Sequence, residues 1–432
     1  MGKFIKLMLY KYLYKLGSFF RNPSKSRYLD FLQMSNDWPL EKLQEYQLLK
    51  LKEILNYAFE KSSFYNSYYT RCNFHPSQIL SLDDLKKIPI IEKEDLIKNN
   101  SQIHTEFKGK KFLASTSGSS GQSLKFYRDE SADSFNRAVL EKNYLWYSIN
   151  PWEYNGYFWG YNFSFFEKIK TIFFDFLQNR FRVFSYDKLR LIKFVNKLSK
   201  ASYVHGYSSM IYQVAKLINQ KRLPKPKNIK MVKGTSEKIY ESYHDEVIKA
   251  FGSKIVSEYG AAESGIIAFE CPEGKMHVNM EGVIVEEVKN EIIVTNLHMK
   301  SFPIIRYKLG DYIDLSPNTS CKCGRNHMLL NEVTGRIGSN VYGYNEIYPS
   351  LVFYYIFKNL SNKHSLKLNY QIIQKNKGNL LFRIEEILNQ DQIKKLNNEV
   401  VKYFGSDIEF SLQMGCEIIS GNEKLKSFIS YI

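Results

Sequence analysis

The sequence predicts an α/β protein with a large N-terminal domain built on a largely parallel sheet and a smaller α+β domain behind it. Three observations carry this. At 432 residues the chain is longer than one compact core accommodates, so two or more domains are expected. Residues 229–237 and 254–258 each read as a short strand running into a polar turn, and 239–251 between them has helical spacing; strand, turn, helix, strand is the βαβ signature. Beyond Gly335 the pattern changes, with 346–359, 366–373, 380–384, 390–404 and 408–412 reading as helix, strand, strand, helix, strand. The expected domains are therefore 1–335 and 336–432.

The elements follow in order. Residues 3–20 are apolar and aromatic with a lysine every three to five residues. That spacing of charge argues against a transmembrane span, and no small-residue cleavage site marks a signal peptide. The segment 1–25 reads as a basic apolar helix, lying either in an anionic membrane interface or on the protein's own surface. Leu40, Leu43, Tyr46, Leu49, Leu51, Ile54, Leu55 and Ala58 have helical spacing, and 83–100 forms two short pieces broken at Pro89. Residues 124–127 read as the second arm of a hairpin and 131–147 as a helix.

Hydrophobic content of 44% with 24% charged residues is that of a folded globular chain. The net charge of +17 favours anionic partners, yet the lysines are dispersed and accompany no nucleic-acid-binding motif, so nucleic acid is not expected. Five cysteines in so long a chain make no disulfide framework and point to a reducing, cytoplasmic setting, with peripheral membrane contact through the N-terminus as a variant. Oligomeric state is left open, a homodimer included.

The stretch Leu113-Ala-Ser-Thr-Ser-Gly-Ser-Ser-Gly-Gln-Ser-Leu124 has no pattern of regular helix or strand. Convergent backbone N–H groups and small hydroxyls suit a phosphate chain, which makes Thr116, Ser117, Gly118, Ser119, Ser120 and Gly121 candidates for nucleotide contact; a flexible surface loop has the same composition. No Gly-Lys-Ser/Thr closes it, so it is not a Walker A loop. Residues 152–166, Trp159 among them, are dense in aromatics and glycine and either line a pocket for an organic substrate or pack in the core. Residues 203–210 read as a strand-to-helix turn, with His205 near a ligand mouth or serving as a structural histidine. In Glu258-Tyr-Gly-Ala-Ala-Glu-Ser-Gly265, read as a turn after a strand, Tyr259 suits a planar base and Glu263 suits Mg²⁺.

Cys271 and His277 fall on one polar turn and Cys321 and Cys323 on another. Three thiolates and an imidazole make a structural Zn²⁺ set with no open position, expected as a clip beside the nucleotide pocket. Cys72 and Cys416 are ordinary thiols.

Four of these segments, in this order, resemble the adenylate-forming (acyl-AMP) ligase superfamily, in the branch of phenylacetate-CoA ligases and the capsule-biosynthesis CapK proteins. Thr116-Ser-Gly-Ser-Ser-Gly121 is similar to its phosphate loop. Glu258-Tyr-Gly-Ala-Ala-Glu263 is similar to its Tyr-Gly-x-Thr-Glu motif with Ala262 in place of threonine. Arg306-Tyr-Lys-Leu-Gly-Asp311 and Gly335-Arg336 resemble its Arg-Tyr-x-Thr-Gly-Asp motif and hinge, and 85–99 resembles the branch's opening segment.

The resemblance implies the ligase fold with a mobile C-terminal lid, and ATP and Mg²⁺ as cofactors. It implies that residues 116–121 hold the phosphates, Glu263 holds Mg²⁺, Asp311 accepts the ribose hydroxyls, Tyr259 and Gly260 lie at adenine beside Thr235, Ser236 and Glu237, and Arg336 reaches ribose or phosphate. The lid lysine maps to Lys424, with Lys426 the fallback; Glu423 replaces the family's glycine, and Gly338-Ser339 stand where the hinge usually has an aspartate. The substrate set is Trp159, His205, Tyr207, Gly234, Gly260 and Ala261. The implied activity joins a small-molecule carboxylate to an amine or thiol acceptor, in surface-polysaccharide assembly (an amide between an amino acid and a sugar carboxylate) or, as the alternative, to CoA. A silent nucleotide- or membrane-binding scaffold is the reading from another class.

Overall fold

The computed structural model describes residues 2–116, 123–158, 165–183, 188–316, 320–336, 340–418 and 426–432. The chain opens with helices α1 (Gly2–Arg21), α2 (Lys25–Ser35), α3 (Leu40–Lys61), α4 (Ser63–Arg71), α5 (Lys93–Lys98) and α6 (Asn100–Ile103). On α3 the apolar spacing turns Leu43, Leu51, Ile54, Leu55 and Ala58 inward, each leucine or isoleucine contributing about 1.5–3 kcal/mol. Ser62 then ends α3, and its hydroxyl accepts from the Tyr65 N–H to cap α4. The two short pieces expected around Pro89 are a 3-10 helix, Leu82–Lys87, and α5.

The hairpin β1 (Lys111–Ser115) and β2 (Lys125–Asp129) follows, then α7 (Glu130–Leu145), capped by the Asp129 carboxylate. Leu113, Ala114 and Ser115, expected as loop, are thus the end of a strand, because each pairs across the hairpin: Leu113 with Tyr127, Ala114 with Phe126 and Ser115 with Lys125.

The main layer is assembled from β3 (Asn155–Phe158), α8 (Phe165–Leu177), β4 (Arg180–Arg182), α9 (Lys188–Leu198), β5 (Tyr203–Tyr207), α10 (Ser208–Gln220), β6 (Met231–Thr235), α11 (Glu241–Phe251) and β7 (Ile255–Ala261). It continues through β8 (Gly265–Glu270), β9 (Met276–Val278), β10 (Val283–Val288), β11 (Glu291–Asn296), β12 (Tyr307–Leu315) and β13 (Leu329–Arg336). These strands form an 11-stranded sheet in the order β10-β11-β12-β13-β9-β8-β7-β6-β5-β3-β4. Strands β4, β3, β5, β6 and β7 run parallel. From β7 onward every pairing is antiparallel, so the expectation of a largely parallel sheet holds for one half only. The direction reverses because β7 turns straight back into β8 without a crossover helix. Gly265 (φ +80°) makes that turn, and a side chain at Gly260 would meet the Gly265 carbonyl at 2.5 Å. Consequently Tyr259, Gly260 and Ala261, expected on a turn, lie in a strand.

The C-terminal part comprises β14 (Asn340–Tyr342), β15 (Ile347–Pro349), α12 (Leu351–His364), β16 (Tyr370–Asn376), β17 (Asn379–Ile384), α13 (Gln390–Phe404), β18 (Glu409–Gln413) and β19 (Phe428–Ser430), with a four-stranded sheet in the order β18-β17-β16-β19. The helix expected over 346–359 starts later, its first residues being taken by the β14–β15 pair.

This unit packs on α10 and α11. The rings of Tyr240 and Tyr370 lie 5.5 Å apart, Lys238 Nζ sits 3.8 Å over the Tyr354 ring, and Asn369 donates to the Tyr212 hydroxyl at 2.8 Å. Burial, with the Glu385 charge beside it, pushes the Glu386 carboxyl up to about 7 against an ordinary 4.5, while the Asn369 N–H opposes the shift. A raised carboxyl contributes stability that is complete below pH about 4.5 and is lost as pH rises through about 7. Melting temperature is therefore expected to fall by a few degrees from pH 5 to pH 7.5, and Glu386→Gln to flatten that slope in a melting series across the range.

Candidate functional site

Three side-chain contacts draw separate segments to one place at the carboxyl end of β7. The Tyr259 hydroxyl donates to Asp311 Oδ2 at 2.8 Å, joining β7 to β12. The Tyr307 hydroxyl donates to Glu263 Oε1 at 3.3 Å, joining the start of β12 to the turn after β7. Arg128 on β2 donates to the Ala262 carbonyl and pairs with Asp133 at 3.4 Å, joining the β1–β2 hairpin to the same turn. Glu263 and Asp311 are both buried, and Thr235 at the end of β6 is in register with Glu258. Arg336 ends β13 in register with Asp311.

The loop between β1 and β2 is held at its neck by Thr116. Its N–H donates to the Leu124 carbonyl, its hydroxyl accepts from the Leu124 N–H, both at 2.9 Å, and its carbonyl accepts from the Ser123 hydroxyl at 2.6 Å. Ser117, Gly118, Ser119, Ser120 and Gly121 lie outside the described residues, as do Trp159, Lys424 and the Arg336 side chain. After β6, Ser236 takes a left-handed φ of +67°, which swings the Glu237 carboxylate onto the Ser209 N–H at 2.9 Å and ties the turn to the start of α10. A side chain at Gly234 would meet the Ser208 hydroxyl at 2.5 Å, so close packing of α10 is what requires glycine there.

Strand alternation puts Asn155, Tyr157, His205, Tyr207, Lys233, Thr235 and Glu258 on one face of the parallel half. His205 is buried there, its Nε2 3.2 Å from Asn155 Oδ1 and its ring stacked on Tyr157 at 4.4 Å. Burial, then the charges of Arg180, Lys233 and Arg182, hold its pKa well below the usual value, so the ring is neutral. Lys233 makes a buried 2.6 Å pair with Glu258. Arg306 of the motif is structural: it forks onto Glu286 and donates to the carbonyls of Lys86 and Ile88, which docks the 85–99 segment against β12.

Sequence reasoning missed Arg128 and Lys233. The signal was alternation: on β2, Arg128 shares the inward face with buried Phe126, and on β6, Lys233 is flanked by apolar residues on a buried strand. Arg128 is a positioning residue for the turn that carries Glu263. Arg128→Ala is expected to slow the adenylation described below roughly 10- to 100-fold with a raised apparent KM for ATP, and Arg128→Lys to recover part of it, as read by pyrophosphate exchange.

The four Cys and His residues also come together. Cys271, His277, Cys321 and Cys323 place one ligand atom each within 4.8 Å of every other, with Sγ of Cys271 and Cys321 3.7 Å apart and Cys323 Sγ 3.2 Å from His277 Nε2. Tetrahedral thiolates about 2.3 Å from a metal stand about 3.7 Å apart, so the donors fit such an ion. Burial, followed by the charges of His327, Arg325 and Lys142, lowers His277 to about 3, leaving the neutral imidazole a metal needs. Cys271 follows the end of β8 opposite Gly265, roughly 20 Å of extended chain from that turn, while His277 pairs with Phe269, which pairs in turn with Glu258 at the start of the motif.

No family model matches the sequence. The architecture is shared with 2-hydroxyisobutyryl-CoA ligase in its postadenylation state, in complex with R3-HIB-AMP, at a TM-score of 0.70 and 17% identity over 91% of each chain. An acyl acid amido synthetase, AtGH3.15, matches at a TM-score of 0.57 and 12% identity, covering 91% of this chain and 89% of its own. The chain therefore has the fold of these two enzymes. The sequence is similar to protein CapK of Staphylococcus aureus, 24% identical over 318 residues, 68% of either chain.

Proposed function

We propose that the chain is an ATP-dependent ligase that activates a carboxylate as its acyl-adenylate and passes the acyl group to an amine or thiol acceptor. The observation that carries the reading is the meeting of Glu263, Tyr259 and Asp311, from segments distant in sequence, at one strand end. In the first half-reaction a substrate carboxylate oxygen bonds to the α-phosphorus of ATP and the bond to pyrophosphate breaks. Asp311, steadied by the Tyr259 hydroxyl, accepts the ribose hydroxyls. The Tyr259 ring lies along adenine, with the Thr235–Glu237 turn opposite, and Glu263 holds Mg²⁺ through oxygen. Bound there, Mg²⁺ neutralises charge on the departing phosphates. Residues 116–121 hold the phosphates, and Lys424 and Arg336 approach from the lid and hinge.

On the face bearing Asn155 and Tyr157, Tyr203, Met231 and Val256 pack at the amino end, while the carboxyl end, with His205, Tyr207, Lys233 and Thr235, is polar, which favours a hydroxylated acid over an alkyl or aryl one. With the likeness to CapK, this supports an amide-forming step in surface-polysaccharide assembly over a CoA ligase of the phenylacetate type. The Cys271, His277, Cys321, Cys323 set holds Zn²⁺ as a structural clip.

Exchange of labelled pyrophosphate into ATP, dependent on added carboxylate and screened over sugar acids, amino acids and aryl acids, tests the reading. Exchange with a polar acid and acyl transfer to an amine is expected. Transfer to CoA alone would favour the alternative, and no exchange with any acid would leave a nucleotide-binding scaffold.

A further inference from the structure

The helix that follows β3 is built the wrong way round for a globular surface. On α8 the one buried residue is Asp175, held in a fork by Arg182 at 2.7 and 2.8 Å, while Phe165, Phe166, Ile169, Ile172, Phe173 and Phe176 point outward, Phe166 being 81% and Phe173 58% exposed. Beside it lies α1, with Tyr10 packed 6.1 Å from Phe176. The apolar residues of α1 also face out, Ile5, Leu9, Tyr12, Leu16, Phe19 and Phe20 among them. The end of α1 is fastened to the body: Lys110 Nζ donates to the carbonyls of Phe20 and Arg21, and the Tyr14 hydroxyl to Glu141. Two adjacent helices thus both turn their large apolar side chains outward, where contiguous apolar patches mark contact sites.

The charge around that surface says what covers it. Helix α1 carries five basic residues and no acidic one, and α9 carries four basic and no acidic. On α9, Lys193 and Lys197 are exposed. A second copy meeting this face about a two-fold axis would set cation against cation. An anionic lipid surface instead takes the aromatic side chains into its interface and the lysines against its phosphates. No helix among the described residues is long and apolar enough to cross a membrane.

We propose that α1 and α8 form a two-helix platform that seats the protein on an anionic bilayer, with the lysines of α1 and α9 against the lipid phosphates. This reading does not depend on the ligase assignment.

The test is flotation of the full-length protein with vesicles of mixed phosphatidylglycerol and phosphatidylcholine, against vesicles of phosphatidylcholine alone. Flotation with the anionic vesicles is expected, at least ten-fold weaker with neutral ones. Phe166→Glu and Phe173→Glu, each on an exposed position and each checked for an unchanged melting temperature, are expected to weaken binding at least ten-fold. Lys193→Glu with Lys197→Glu is expected to remove the preference for the anionic lipid. Absence of flotation, or flotation that both phenylalanine variants leave intact, overturns the proposal. So does a wild-type dimer that Phe173→Glu splits while vesicles are ignored.

Discussion

Glu263→Gln is expected to lower carboxylate-dependent pyrophosphate exchange by about 100-fold or more while the melting temperature stays within a degree or two of the parent. The side chain is buried at the turn after β7 and accepts from the Tyr307 hydroxyl at 3.3 Å, a bond that a glutamine carbonyl also accepts. Size, packing and that hydrogen bond are therefore kept, and what is removed is the negative charge. A hard divalent cation is held by anionic oxygen, so with Glu263 as the proposed Mg²⁺ ligand the loss would fall on metal binding and on the charge neutralisation the ion would supply. The half-saturating Mg²⁺ concentration is expected to rise together with the fall in rate. Tyr307→Phe, which removes the hydroxyl and leaves the carboxylate, is expected to cost far less. Exchange by Glu263→Gln at the parental rate and parental Mg²⁺ dependence would take this residue out of the mechanism.

Cys321→Ser is expected to act on stability and spare chemistry. With zinc in place, four protein ligands fill a tetrahedral ion and tie the β8–β9 turn to the chain between β12 and β13. Removing one thiolate breaks that tie, and bound zinc, measured on protein purified without added metal, should fall well below stoichiometric. The melting temperature should drop by about 5–10 °C. Because the cluster sits at the end of β8 away from Glu263, exchange measured well below the melting transition is expected to remain near the parental rate. Equal loss of activity and stability would place the metal in the reaction instead. Parental melting with no zinc in the parent would remove the clip.

Much of this protein is determined by local pattern. Helices α3, α11 and α13 are legible because an amphipathic stripe repeats every three to four residues whatever surrounds it. The β5–α10 junction and the strands of the C-terminal part are legible as apolar runs that end at turn residues. The Cys and His set is legible because thiols on polar turns have no place in a core.

Tertiary structure alone decided the rest. Whether β7 crosses over or turns back depends on the close approach of Gly260 to Gly265, a contact between strands that no periodicity encodes. The inward Arg128 and Lys233 owe their partners to segments 134 and 25 residues away, so their meaning arises only when those segments meet. Helix α8 is the plainest case. A run as apolar as Phe165–Leu177 reads as core in any window of sequence, and only the packing of β4 against the single face holding Asp175 leaves its aromatic rings outside. Sequence sets what each segment can bury, whereas which face finds a partner is settled by the competition among all segments for the same interior.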